Sequence, residues 1–151
     1  MATAGLLAQY MAVNNQLSYV TQQKMHWDNL KEAMSKKLSE QEKYATKWED
    51  ATQAVWDAEG DNSKDIHIGQ NYYVKGGKPG PGYNMERAAR AYADKKVPKY
   101  DSDKLEEYTA LDMEYDTMSE MYNALYDELT AQRDSTKEAT STEAKDTHIL
   151  S

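Results

Sequence analysis

Residues 105–129 read LEEYTALDMEYDTMSEMYNALYDEL, which sets Leu105, Tyr108, Leu111, Tyr115, Met118, Tyr122, Leu125 and Leu129 three or four positions apart. An α-helix turns once every ~3.6 residues, so that interval returns each of these side chains to one side of a helix. The spacing predicts a helix capped by Asp101 or Ser102 and running to about residue 134, with its stripe laid against another helix.

A partner for that stripe exists near the start of the chain. Leu6, Tyr10, Val13, Leu17 and Val20 are spaced four, three, four and three, and no Pro or Gly occurs between Leu6 and Glu59. The stretch predicts one helix over residues 2–59, a rod on the order of 80 Å at ~1.5 Å per residue, with the dense polar residues of Lys36–Glu42 offering a place for a break. Beyond Val20 the apolar register loosens through Trp27, Leu30, Met34, Leu38, Ala45, Trp48 and Val55, while Lys24, Lys31 and Gln41 occupy positions where a strict repeat wants apolar groups. Drift of this kind suits a long helix whose partner changes along its length. Gly60 and Asn62 end the helix. The last long helix is expected to run antiparallel to part of the first.

The segment between the two helices differs in kind. Asp65-Ile66-His67-Ile68, the triplet Gly69-Gln70-Asn71 and Tyr72-Tyr73-Val74 predict a small β-hairpin. The run Gly76-Gly77-Lys78-Pro79-Gly80-Pro81-Gly82 predicts a flexible or extended link without regular structure. Asn84 can cap a short helix over 85–96, with Ala88, Ala89, Tyr92 and Ala93 on its close-packing side, and Val97-Pro98 ends it. The expected fold class is therefore mainly α: a long, coiled-coil-like helical hairpin carrying a small β-hairpin and Gly-Pro loop (60–83) between its long helices. Residues 1–134 form one elongated helical domain in this reading, and the Thr/Ser/Glu/Lys-rich residues 135–151 a fraying polar tail.

Composition narrows the function classes. Of 151 residues, 39% are hydrophobic and none is Phe, so burial must rest on Tyr, Trp, Met and Leu. Tyr and Trp keep a polar tip and suit partly wet seams and interfaces. Such a chain is expected to complete its burial in an oligomer. Charge is divided unevenly along it: six Lys against eight acids in 1–59, eight Lys/Arg against four acids in 60–100, and four Lys/Arg against fourteen acids in 101–151. A basic middle beside an acidic last third allows opposite patches of neighbouring copies to meet; the competing reading is simple solvation of acidic helices. Residues 1–13 lack a basic n-region and do not read as a signal peptide. No apolar run approaches the ~20 residues of a membrane span.

Candidate chemistry is sparse. Cys is absent, which removes disulfides, thiolate nucleophiles and Cys-based metal sites. His26, His67 and His148 each stand alone, without the clustered partners a metal or a catalytic base requires. Asp57-Ala58-Glu59-Gly60-Asp61-Asn62 alternates oxygen ligands, but an EF-hand needs Gly at its sixth position and Glu at its twelfth, where Asn62 and Ile68 stand. In the Gly-rich run Lys78 precedes Pro79, not Ser or Thr, so the phosphate-loop pattern fails. Arg87, Arg90, Lys95, Lys96 and Lys99 with Tyr92 and Tyr100 form a basic cluster, but the acidic last helix disfavours nucleic acid, and acids such as Glu106, Glu107, Asp112, Glu114 and Asp116 are the better partners. No enzyme, cofactor, metal site, nucleic-acid partner or membrane span is expected.

Long helix, flexible elbow and second heptad helix together resemble the helical-hairpin subunits of secretion needles and the small helical structural proteins of tailed phages. The resemblance covers the helical parts alone. The Pro-containing tight turn of needle subunits is missing, and Trp56-Asp57-Ala58 lacks the Gly of the Trp-x-Gly turn found in small secreted helical hairpins. The resemblance implies a self-assembling subunit of a filament or virion. Copies would pack through Leu6, Tyr10, Val13, Leu17 and Val20 and through Leu105, Tyr108, Tyr115, Met118, Tyr122, Leu125 and Leu129, with Arg87 and Arg90 in the segment making further contacts. The alternative is an adaptor or chaperone-like module that offers its hairpin to a different protein.

Overall fold

The computed structural model describes residues 2–150, with side chains from residue 4 to residue 142. The chain is mainly α-helical, with a small sheet between two long helices. In order it forms α1 (Ala2–Asp57), β1 (Ile66–Ile68), β2 (Asn71–Lys75), β3 (Lys78–Pro79), α2 (Met85–Lys96) and α3 (Ser102–Leu150). Contacts divide it into two compact units: the first takes the chain up to Met34 and from Leu111 onward, the second is Ser35–Ala110. Helix α3 continues past residue 134, where the apolar stripe stops, because no Gly or Pro interrupts 102–150 and Ala131, Lys137, Glu138 and Ala139 all favour helix.

In the first unit, α1 and α3 lie antiparallel. Leu17 and Val20 are buried with Leu129 and flanked by Val13, Tyr122 and Tyr126. Further along α1, the Lys24 ammonium sits 4.6 Å above the ring of Tyr126. Asp28 accepts a hydrogen bond from Ser119 Oγ, and Lys31 forms an ion pair with Asp116. Rising numbers on α1 meet falling numbers on α3 throughout.

In the second unit, the core joins Val55 and Ala58 from the end of α1, Tyr73 and Val74 from β2, and Met85, Ala88 and Ala89 from α2. Successive strand residues face opposite ways, so burial of both Tyr73 (1% exposed) and Val74 (0%) means that β2 is covered on both sides. The Tyr73 ring rests against Tyr83 at 5.5 Å and Tyr92 at 5.7 Å. Asn84 caps α2, its Oδ1 accepting from the Arg87 N–H at 2.8 Å, and Lys95 and Lys96 in the last turn complement the helix dipole. Gln41, Trp48 and the 97–101 connection close the far side: Trp48 Nε1 donates to Asp94 at 2.9 Å and its ring lies 5.3 Å from Tyr100.

The Gly-Pro run departs from the sequence expectation. It is not a structureless link but the third strand of an antiparallel sheet of order β1-β2-β3, with Val74 opposite Pro79 and Lys75 opposite Lys78. Gly76 and Gly77 have φ of 59° and 75°, the backbone of a two-residue hairpin turn that matches the strands' own twist. Pro79 is tolerated because it stands on the sheet edge, where no N–H is needed. The turn is held from below: Gly60 N–H donates to the Gly77 carbonyl at 2.8 Å, Gly77 N–H to the Lys64 carbonyl at 3.0 Å, and Gly76 N–H to Asp65 Oδ1 at 2.7 Å. The oxygen-rich 57–62 stretch is the turn that ends α1. There Asp61 accepts from both the hydroxyl and the N–H of Ser63, and those bonds hold its carboxyl below the usual carboxylate range.

Candidate assembly surface

The repeat in α1 is stricter than its apolar residues suggest. Positions 6, 10, 13, 17, 20, 24, 27, 31, 34, 38, 41, 45 and 48 alternate steps of four and three, and each is buried or half-buried. Lys24, Lys31 and Gln41 therefore sit in the seam rather than interrupting it. Each has a specific partner: the Tyr126 face, Asp116, and the backbone at 99 and 101. The Asp116 carboxylate holds the Lys31 ammonium above its usual value, with Glu120 and Asp112 adding to the attraction. Polar groups at seam positions fix the register of a helix pair because a slipped pairing leaves them unpartnered.

On α3 the covered line is shifted from the predicted stripe. It runs Tyr115, Ser119, Tyr122, Tyr126 and Leu129, again in steps of four and three. Ser119 is 4% exposed, whereas Leu125 of the expected stripe is 37% exposed. Tyr115 lies 5.9 Å from Trp27. Met118 is half-buried at the margin. Burial raises the Tyr122 hydroxyl above the usual tyrosine value, and a hydrogen bond with Tyr19 adds to the shift. Sequence reasoning missed Ser119 and Tyr126 because Met118 and Leu125, one residue earlier, are the more apolar choices at the same spacing.

The other expected interface residues are distributed over both units. Leu6, Tyr10 and Val13 are half-buried along α1, while Leu17, Val20 and Leu129 are consumed inside the chain's own helix pair. Leu105 and Tyr108 are half-buried in the second unit, where Tyr108 lines an open cleft of about 430 Å³ with Lys37, Tyr44 and Tyr100. Arg87 and Arg90 are exposed on α2, and Arg90 pairs with Glu86 one turn earlier at 3.2 Å. His26 stands edge-on to Trp27 at 5.2 Å; His67 Nδ1 is 2.8 Å from the Gly69 carbonyl; the side chain of His148 lies outside the described residues.

One side of the first unit is left open. A groove of about 470 Å³ runs between the helices, lined by Asn15, Gln16, Tyr19, Val20, Leu125 and Leu129. It is continued toward the start of α1 by Gln9, Ala12 and Val13 facing Gln132, Ser135 and Thr136. On α1 the positions 9, 12, 16 and 19 step by three, four and three, so they form a second line beside the covered seam. Tyr19 is 57% exposed on this side, and Leu7, Met11 and Met25 are exposed elsewhere on α1.

Among the described residues, no group of three or more His, Cys, Asp or Glu side chains converges, and no helix is long and apolar enough to cross a membrane. Comparison of the chain with protein-family models, with curated proteins and with solved structures finds no match.

Proposed function

We propose that this chain is a self-assembling structural subunit, of the kind that builds a filament or a virion, and that its helices associate with those of neighbouring copies. The observation that carries this reading is the first unit's incomplete burial. Two helices alone can each cover one face, yet α1 and α3 here present a second line of apolar and amide side chains beside the covered one. Bundles of three or more helices bury such additional lines. Tyr19 and Leu125 are exposed on the groove and Met121 one turn before Leu125, while Leu7 and Met11 add exposed apolar groups elsewhere on α1, in a chain that is only 39% hydrophobic. Extended exposed apolar surface marks interaction sites.

Negative-stain microscopy and light scattering across a range of protein concentration test the reading. Regular filaments, rings or a concentration-dependent oligomer are the expected result. A compact monomer at every concentration and salt would refute it and favour the adaptor reading, in which the same surface receives a different protein.

A further inference from the structure

Residues 4–23 contain no Asp, Glu, Lys, Arg or His, in a chain of which 29% of residues are charged. This part of α1 is uncharged around its whole circumference, and only the side bearing Val13, Leu17 and Val20 is covered by α3. The neutral character continues across the open groove, whose α3 wall is Leu125, Leu129, Ala131, Gln132, Ser135 and Thr136. The groove-lining residues carry no charge. On α3 the exposed Glu128, one turn from both Leu125 and Gln132, stands at their rim, and Asp116, Glu120 and Asp127 lie further around the helix.

Resting on the self-assembly reading, we propose that this charge-free strip is the contact between copies, and that its occupant is the same strip of a second copy. Three observations select that occupant. The chain carries a net charge of −8, so two copies repel wherever their acidic surfaces meet. The strip, uncharged along α1 and bordered on α3 by Glu128 alone among the residues one turn from both Leu125 and Gln132, is where that opposition is least. The strip mixes apolar residues with Gln9, Asn15, Gln16 and Gln132, whose amides both donate and accept. An identical strip meets them with the same amides across a two-fold axis, while hydrocarbon would leave them unsatisfied. Extent is the third. The uncharged α1 segment is about 30 Å long, the α3 wall over 125–136 about 18 Å, and each helix about 10 Å wide, so two copies bury roughly 1,000 Å², the lower bound of a specific interface.

Association through this strip differs in kind from contact between the basic 60–100 segment and the acidic last helix. Salt weakens attraction between opposite patches, but it screens the general repulsion between copies that meet through neutral surface. The test is sedimentation velocity of the full chain at 50 and 500 mM salt, with the double variant Gln16→Glu, Gln132→Glu and the control Met113→Glu. The variants Q16E and Q132E keep side-chain size, and circular dichroism verifies that the helices persist. The wild type should associate at least as strongly at high salt, the double variant at least tenfold more weakly, and M113E should match the wild type. Met113 is 67% exposed and lies twelve residues before Leu125, about 18 Å away along the helix and about 120° around it, beyond the end of the groove. Association that 500 mM salt dissolves and the double variant leaves intact would overturn the strip while leaving self-assembly standing. A wild-type monomer throughout would overturn both. Capture of that monomer by phosphatidylcholine vesicles would show a lipid occupant instead.

Discussion

The side-chain amide of Gln41 on α1 accepts the N–H of Asp101 at 3.2 Å, just where α3 begins. Its other end donates to the Lys99 carbonyl at 3.1 Å, so one 8%-exposed side chain satisfies a backbone donor and a backbone acceptor of the connection between α2 and α3. A buried donor or acceptor stripped of its partner costs about 1–3 kcal/mol. Both backbone groups are only part-buried, so Gln41→Leu should destabilise the second unit by about 1–2 kcal/mol even though it raises the apolar content of the seam. Urea unfolding followed by tryptophan fluorescence, in a background where Trp27 and Trp56 are replaced by Phe so that Trp48 alone reports, measures this; an unchanged or raised midpoint would show that the two bonds add nothing.

Glycine is required unequally along the sheet. A Cβ on Gly77 would stand 2.6 Å from the Asp61 backbone, and its φ is +75°. Gly69 has a φ of +61°, but a Cβ there meets nothing within 4 Å. Gly69→Ala should cost about 1 kcal/mol, the left-handed backbone penalty alone. Gly77→Ala adds a backbone clash and should cost distinctly more, with loss of hydrogen-exchange protection at Gly60 and Gly77, whose N–H groups dock the turn onto the 60–64 loop. Equal effects of the two substitutions would mean that the turn is not held as described.

Lys31 and Asp116 give the first unit a pH-dependent contact. The folded Lys31 value is raised above its unfolded one, chiefly by the hydrogen bond to Asp116, so its stabilisation is fully present below the ordinary lysine range. It fades as pH rises through the raised folded value. Replacing Lys31 with Met should leave the stability profile of the first unit flatter above pH ~10.5 than that of the wild type. The difference should be small, because both partners are about two-fifths exposed and water screens the pair. A wild type and a K31M variant with parallel profiles at high pH would exclude the coupling.

The long helices were legible because periodicity is a local property: Leu105 to Leu129 and Leu6 to Val20 carry it in their own spacing. The small sheet was legible in part. Ile66–Ile68 and Tyr72–Val74 show strand composition, but β3 rests on Gly76 and Gly77 folding back and on the 60–64 loop receiving them, which no window of the sequence contains. The same limit applies to the seam. Lys24, Lys31 and Gln41 look like defects in a heptad until Tyr126, Asp116 and the 99–101 backbone are brought opposite them. Ser119 is buried rather than Met118 or Leu125 because the register is set by polar partners, Asp28 to Ser119 among them, and not by apolar residues alone. Whether the neutral side of α1 meets another copy depends on a second molecule, and the sequence of one chain contains only half of that contact.

Leu125 and Leu129 stand one turn apart on α3, and their different surroundings separate folding from assembly. Leu129 is 9% exposed against Leu17 and Val20, whereas Leu125 is 37% exposed on the wall of the open groove. Truncation of a buried Leu to Ala typically costs about 2–5 kcal/mol, through lost transfer energy and the cavity left behind. Leu129→Ala should lie at the lower end of that range, about 2–3 kcal/mol, since a two-helix contact relaxes more easily than a closed core. Leu125→Ala forfeits less burial within the chain and should cost under about 1 kcal/mol in dilute solution. The order should reverse for association: with the helices intact, L125A removes apolar contact from the groove and weakens oligomers directly, while L129A acts on them only through the population of folded chain. Denaturation at low concentration and sedimentation at high concentration measure the two effects separately. If L125A reduced monomer stability as much as L129A and left association unchanged, the groove would belong to the fold and not to the contact between copies.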